Sequence, residues 1–139
     1  MLILTLMDYA RRAFVLGVLA AVVGGCVTPQ IPLPPPVIDK LGLEIVDDSR
    51  NLVRIVAEAG AVPDKSGVEV HILDPSTGCT EIADCRLTFK AEGATFNSPA
   101  FIASDGARLD IEYHATNGDS EPLCVIIDKT KPNNLAKCP

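Results

Sequence analysis

The sequence predicts an all-β fold, a small antiparallel β-sandwich of about seven strands in residues 41–139. Three observations predict it. Apolar and polar residues alternate with a period of two in several segments after residue 40, as in strands that bury one face. Clusters of Gly, Pro, Asn, Asp and Ser separate these segments at the spacing of sandwich loops. No segment after Cys26 has a convincing helical period.

The clearest alternation covers residues 108–115. Its apolar positions are expected in the core, namely Leu109, Ile111, Tyr113 and Ala115. Its polar positions are expected on the outer face, namely Arg108, Asp110, Glu112 and His114. Shorter alternations occur at residues 53–58, 68–73 and 86–91, and residues 123–127 form an apolar run of strand length. Pro99 predicts that residues 96–102 lie at a sheet edge or bulge.

The first 25 residues have the pattern of an export signal. Arg11 and Arg12 precede an apolar run over residues 13–23. This run is shorter than the roughly 20 residues that a membrane-spanning helix needs, and its length suits a signal helix. Gly24 and Gly25 then precede Cys26, and the sequence V-G-G-C resembles the lipobox of bacterial lipoproteins.

The lipobox resemblance implies cleavage before Cys26, attachment of diacylglycerol to its thiol, and acylation of the new amino terminus. The mature protein would then be anchored in the lipid bilayer of the cell envelope. Val27 stands where an Asp would favour retention in the inner membrane, so the outer membrane is expected. The alternative is an ordinary signal peptide in which Cys26 is incidental.

Residues 26–40 are expected to form a proline-rich tether. Five of the nine residues at 28–36 are proline, which disfavours helix and central strand and favours an extended chain. We expect a semi-rigid spacer between the lipid and the domain. The alternative is a peptide ligand for an SH3-like domain.

Composition restricts the partners. Without residues 1–25 the chain keeps 10 of its 12 basic and 17 of its 18 acidic residues, a net charge of −7. Nucleic acids and acidic lipid headgroups are therefore not expected as ligands. The core must come mainly from Val, Ile, Leu and Ala, because only four aromatic residues remain: Phe89, Phe96, Phe101 and Tyr113.

The four cysteines after Cys26 are an even number in an exported chain, which predicts two disulfides with three possible connectivities. We expect a disulfide between Cys79 and Cys85, which flank a short connection between two strands. We expect the second between Cys124 and Cys138, where it would hold the polar C-terminal tail against the last predicted strand. A zinc module is disfavoured because the spacings C-x5-C and C-x13-C do not match one.

Residues 52–120 also resemble the bacterial Ig-like modules that are repeated in surface and secreted proteins. The matching features are a G-A-V-P turn at residues 60–63, a V-x-V strand at 68–70, a T-G turn at 77–78, a G-x-x-L strand at 106–109 and an N-G turn at 117–118. The resemblance implies an Ig-like or related prealbumin-like sandwich. The cysteines depart from it, because they do not lie on the strands that an immunoglobulin inter-sheet disulfide joins.

Candidate sites are few. The sequence has no G-x-S-x-G elbow and no glycine-rich phosphate loop, so neither an enzyme nor a cofactor is expected. His71 and His114 lie on polar strand faces, where Asp110 and Glu112 could complete a surface metal site. Solvated faces with cross-strand charge pairs are the preferred interpretation. Calcium at residues 47–48 or 117–119 is disfavoured, because neither has the spacing of a calcium loop.

The expected function is that of a membrane-anchored, non-catalytic envelope lipoprotein. Its Ig-like domain would bind a protein partner in adhesion or assembly, through strand edges or through loops at one end of the sandwich. The candidate loop residues are Pro63, Asp64, Lys65, Asp74, Ser76, Asn117 and Asp119. The alternative is an accessory lipoprotein that binds a metal or another small ligand.

Overall fold

Ten β-strands and three short 3-10 helices form the part of the chain that the structure describes, a computed structural model that covers residues 30–80, 85–93 and 95–139. The strands are β1 (Leu41–Asp47), β2 (Leu52–Ala57), β3 (Gly67–Leu73), β4 (Arg86–Lys90), β5 (Phe96–Asn97), β6 (Phe101–Ile102), β7 (Arg108–Ala115), β8 (Gly118–Asp119), β9 (Leu123–Ile127) and β10 (Leu135–Lys137). The 3-10 helices are Ile38–Lys40, Asp48–Arg50 and Pro75–Thr77. Seven of the strands have three or more residues, which agrees with the predicted number. The predicted signal segment of residues 1–25 and Cys26 lie outside the described residues.

The smaller sheet is built around β2. β1 pairs with one edge of β2 in antiparallel register, and both β5 and β6 pair with its other edge. The break between β5 and β6 contains Pro99, so the predicted sheet edge is confirmed. Ser98 bridges this break, because its hydroxyl accepts a hydrogen bond from the Ile55 amide at 2.9 Å.

The larger sheet has the order β10-β9-β7-β3-β4, with β8 paired to β7, and all its pairs are antiparallel. In immunoglobulin terms β1, β2 and the β5–β6 pair occupy the places of strands A, B and E. β4, β3, β7 and β9 occupy those of C′, C, F and G. The predicted antiparallel β-sandwich is confirmed, and its strand order is of the immunoglobulin type with β10 added.

The predicted alternation places the core between the two sheets. The inward residues of both sheets are buried, among them Val53 and Ile55 of β2, Val68, Val70 and Ile72 of β3, Leu109, Ile111 and Tyr113 of β7, and Val125 and Ile127 of β9. Phe89 of β4 and Phe96 of β5 pack with ring centroids 5.5 Å apart, so an aromatic pair joins the sheets on one side.

One position departs from the expected pattern. Asp110 was predicted on the outer face of β7 and exposed, but it is only 9% exposed. It lies between His71 of β3 and Cys124 of β9, and Arg108 hydrogen-bonds both of its carboxylate oxygens at 3.0 Å. Neighbours on both sides of a central strand therefore cover a residue that the alternation alone places in solvent.

The described part of the proline-rich segment contacts the sandwich. The Leu33 amide donates to the Asp119 carbonyl at 2.9 Å, and the Leu33 carbonyl accepts from the Glu121 amide at 2.8 Å. Pro36 is buried, and the Val37 amide donates to the carbonyl of Ala61. The compact unit accordingly runs from Pro32 to Pro139.

Both predicted disulfides are confirmed. Cys79 and Cys85 join the two ends of the β3–β4 connection with their Cα atoms 5.6 Å apart. Cys124 of β9 is bonded to Cys138, just after β10, with a Cα separation of 5.5 Å. Loop-closure entropy gives each bridge a stabilisation of roughly 2–3 kcal/mol. The second bridge fixes the C-terminal strand at the sheet edge.

Candidate functional site

The pairing of β3 with β7 determines which loops share an end of the sandwich. Gly67 lies opposite His114, and Leu73 lies opposite Arg108. Residues 63–66, 91–93 and 116–117 therefore form one end, where Leu33 also joins the domain, and we call it the tether end. Residues 74–78, 104–106 and 128–134 form the opposite end, which we call the distal end.

The candidate binding loops do not share an end, so that expectation was wrong. Pro63, Asp64, Lys65 and Asn117 belong to the tether end and Asp119 lies on β8 next to it, whereas Asp74 and Ser76 belong to the distal end. The physical reason is direction: β3 begins at the tether end and finishes at the distal end, so the loops before and after it cannot face the same way.

The distal end is held together by hydrogen bonds between loops. The Asp74 carboxylate accepts from the Ser76 amide at 3.1 Å and from the Ser104 amide at 2.7 Å. The hydroxyls of Ser76 and Ser104 are 2.8 Å apart. The Lys129 amide donates to the Asp105 carboxylate at 3.0 Å, which adds the third loop. Three loops therefore form one ordered surface.

Asp74 is a structural residue and not an exposed ligand. Its side chain is buried, and its backbone pairs with Cys79. Burial acts to raise the pKa of this carboxyl, but hydrogen bonds from Ser76 and Ser104 outweigh it and hold the pKa below its usual value. Ser76 is exposed beside it and remains available to a partner.

Asp74→Asn should lower the free energy of unfolding by about 1–3 kcal/mol at pH 7, because a buried, charge-assisted set of hydrogen bonds is weakened. The pKa in the folded state lies below the unfolded value of about 3.9. The stabilisation is therefore present above that pH and is lost as the pH falls through the folded pKa.

Urea titrations at pH 7 and pH 3 should show that the difference in free energy of unfolding between wild type and Asp74→Asn becomes smaller at pH 3. An equal difference at both pH values would contradict this role, and exposed Asp39→Asn is the control.

Several acidic candidates have local partners. Asp64 accepts a hydrogen bond from the Gly93 amide at 2.8 Å. Asp47 accepts from Ser49 and Arg50, which lower its pKa. Asp48 pairs with the Lys129 ammonium. Asp47 and Asp48 are thus engaged separately, Asp47 in turn formation and Asp48 in an ion pair.

The outer face of the larger sheet carries a cluster of histidines and carboxylates. The motif E-x-H occurs twice, as Glu69-Val70-His71 on β3 and as Glu112-Tyr113-His114 on β7. A spacing of two places both polar residues of each motif on the same face. Glu69 lies directly opposite Glu112 in the ladder, so each histidine is diagonal to the glutamate of the other strand.

The distances between these side chains are short. His71 Nε2 is 2.9 Å from Glu69 Oε1 and 3.6 Å from Glu112 Oε1. His114 Nε2 is 3.4 Å from Glu69 Oε2 and 3.8 Å from Glu112 Oε1. Glu69, His71 and Glu112 each offer a ligand atom within 4.8 Å of the others. We call these three residues with His114 the histidine–glutamate cluster.

Asp119 of β8 orients one ring of the cluster. Its Oδ1 is 2.8 Å from His114 Nδ1, and because a carboxylate only accepts, Nδ1 carries the proton. Nε2 then faces Glu69 and Glu112. The hydrogen bond to Asp119 is the main cause that raises the pKa of His114, and burial opposes it. Asn117, the other candidate binding residue near this strand, lies in the β7–β8 turn and is exposed.

Of the residues that the sequence offered for a metal site, His71, His114 and Glu112 lie close together, whereas Asp110 does not join them. Cross-strand charge pairs are present on this face as expected, but His71 is half-buried and Asp110 binds Arg108. Glu69, which was not considered, is central to the cluster. The repeated E-x-H motif is the signal that could have indicated it, since both copies lie on predicted strands.

Arg86 of β4 adds a cation at the border of the cluster, with its Nη1 3.2 Å from Glu69 Oε1. Chemically the arrangement offers imidazole nitrogens and carboxylate oxygens that converge on one point. Such a set can hold a cation.

Comparison with protein-family models, curated proteins and solved structures gave no match for this chain. Within residues 30–80, 85–93 and 95–139, no helix is long and apolar enough to span a bilayer.

Proposed function

We propose that the protein is a lipid-anchored, non-catalytic lipoprotein of the bacterial envelope whose Ig-type domain binds a protein partner. The anchor is proposed from the sequence, where the apolar run, Gly24, Gly25 and Cys26 resemble a signal with a lipobox. The outer membrane is the proposed location, because Val27 follows the lipid-bearing cysteine. The single structural observation that carries the binding role is the ordered distal end.

The point where the proline-rich segment joins the sandwich supports the choice of the distal end as the binding surface. Six residues separate Cys26 from Leu33, and even a fully extended chain over these seven Cα–Cα steps reaches only about 25 Å. Leu33 is hydrogen-bonded at the tether end. A domain anchored through Cys26 would therefore keep its tether end near the membrane and present its distal end outward.

The distal end has the properties of a binding surface. Its three loops are fixed to one another by Asp74, Ser104 and Asp105, so less conformational freedom is lost on association than with independent loops. The exposed residues on these loops are small, polar or proline, among them Ser76, Lys131, Pro132 and Asn133. Loops held by a rigid scaffold are common sites of recognition.

Cys26→Ser should abolish lipid attachment, because the thiol that forms the thioether is absent. In cells fed a labelled palmitate, the wild-type protein should carry label and enter the detergent phase, and the variant should do neither. Cys124→Ser is the matched control, since it removes a different cysteine far from the signal. Palmitate label that survived in the Cys26→Ser protein would contradict the anchor.

Photo-crosslinking from the two ends tests the binding surface. A photoreactive residue at Ser76 or Lys131 of the anchored protein should give a discrete adduct with one envelope protein, because these side chains lie on the exposed distal end. The same residue at Asp64 or Asn117, both exposed at the tether end, is the matched control and should not give it. An adduct formed only from the tether end would contradict this assignment.

A further inference from the structure

We infer that the histidine–glutamate cluster on the outer face of β3 and β7 binds one first-row divalent transition-metal ion, with Zn²⁺ as the reference ion. Glu69, His71 and Glu112 offer ligand atoms within 4.8 Å of one another, and His114, whose Nε2 is 3.4 Å from Glu69 Oε2, is the proposed fourth ligand. This site goes beyond the proposed binding of a protein partner and does not depend on it.

The first argument is electrostatic. Glu69 and Glu112 lie directly opposite each other on adjacent strands, and like charges in that position destabilise a sheet. With neutral histidines, two glutamates and Asp119 are opposed by Arg86 and Lys90 of β4, while Asp110 pairs with Arg108, so this face keeps a net charge of −1. A divalent cation between the glutamates would compensate the charge of both and convert the repulsion into attraction.

The second argument is size. In a tetrahedral zinc site, metal–ligand distances of 2.0–2.1 Å put neighbouring ligand atoms about 3.4 Å apart. The four histidine–glutamate distances in the cluster are 2.9, 3.6, 3.4 and 3.8 Å. These distances are close to that value, so both histidines lie at about the separation from the glutamates that a shared ion requires, and the strand pairing holds the four residues together.

The third argument is orientation. A metal-bound histidine usually donates its other ring N–H to a carboxylate or carbonyl, which fixes the ring and makes the ligating nitrogen more basic. His114 does this through Asp119, and its Nε2 faces the glutamates. Asp119 is therefore a positioning residue for the site, held by the short strand β8.

The ligand chemistry selects the class of ion. Imidazole nitrogen with carboxylate oxygen suits Zn²⁺, Cu²⁺ and Ni²⁺, whereas Ca²⁺ and Mg²⁺ take oxygen ligands almost alone. The side chains of Glu69, His71 and Glu112 are 16%, 18% and 26% exposed, and that of His114 is 43% exposed. The ion would thus lie in a half-buried position with a path to solvent beside His114.

The test is calorimetric titration of the full mature protein in detergent, with its disulfides oxidised and after removal of metals with EDTA. Zn²⁺ should bind at one ion per chain, and Ca²⁺ and Mg²⁺ should give no heat of binding. His71→Gln should raise the Kd at least about 100-fold, and Asp119→Asn should raise it about 10- to 100-fold. Glu44→Gln, in an exposed pair with Arg54 on the other sheet, is the matched control and should bind as the wild type does.

NMR of the histidine rings provides a second measurement. It follows metal binding at each ring directly, so it can be told apart from a loss of folding. The chain has two histidines, so both ring signals can be assigned by substitution. Zn²⁺ should shift the ring signals of His71 and His114 together, at the same ion-to-protein ratio as the calorimetric endpoint. The inference is overturned if Zn²⁺ binding is absent, if it persists unchanged in the folded His71→Gln variant, or if Ca²⁺ binds equally well.

Discussion

The antiparallel pairing of β3 with β7 is the constraint on which the rest of the structure depends. These strands lie side by side in the larger sheet, and β4 and β9 add to their outer edges. Their register places Val68, Val70 and Ile72 beside Tyr113, Ile111 and Leu109 in the core. The same register fixes which loops share an end and sets Glu69 opposite Glu112 on the outer face. A slip of one residue would exchange the two faces and destroy both core and cluster.

The two faces of this strand pair contribute differently to stability. The inner face buries aliphatic side chains in a core with few aromatic residues, and two disulfides stabilise the sandwich further. The outer face sets two glutamates against each other, which contributes nothing to the core and opposes the pairing. Arg86 and the proposed metal ion supply positive charge beside these glutamates. The histidine–glutamate cluster thus lies on two interior strands of the larger sheet.

Local sequence predicts much of this fold, because a period of two and its turn residues are local properties. It predicted β2, β3, β4, β7 and β9, the break at Pro99 and both disulfides, whereas β1 and β10 were not singled out. It failed where the outcome depends on segments distant in the chain. The burial of Asp110 comes from neighbours on two other strands, and the pairing of Leu33 with β8 has no local signal. Glu69 was missed as a member of the cluster for the same reason, since the register brings it opposite Glu112.

A double-mutant cycle on Glu69 and Glu112 tests this account most directly, because it measures the coupling of two side chains that only the β3–β7 register brings together. Unfolding free energies are needed for wild type, Glu69→Gln, Glu112→Gln and the double variant, with EDTA and with Zn²⁺, at a pH where the histidines are neutral. The account predicts an unfavourable coupling of about 0.5–1 kcal/mol with EDTA that becomes favourable with Zn²⁺. Additive effects under both conditions would show that the two carboxylates do not face each other and would contradict the register and the metal site together.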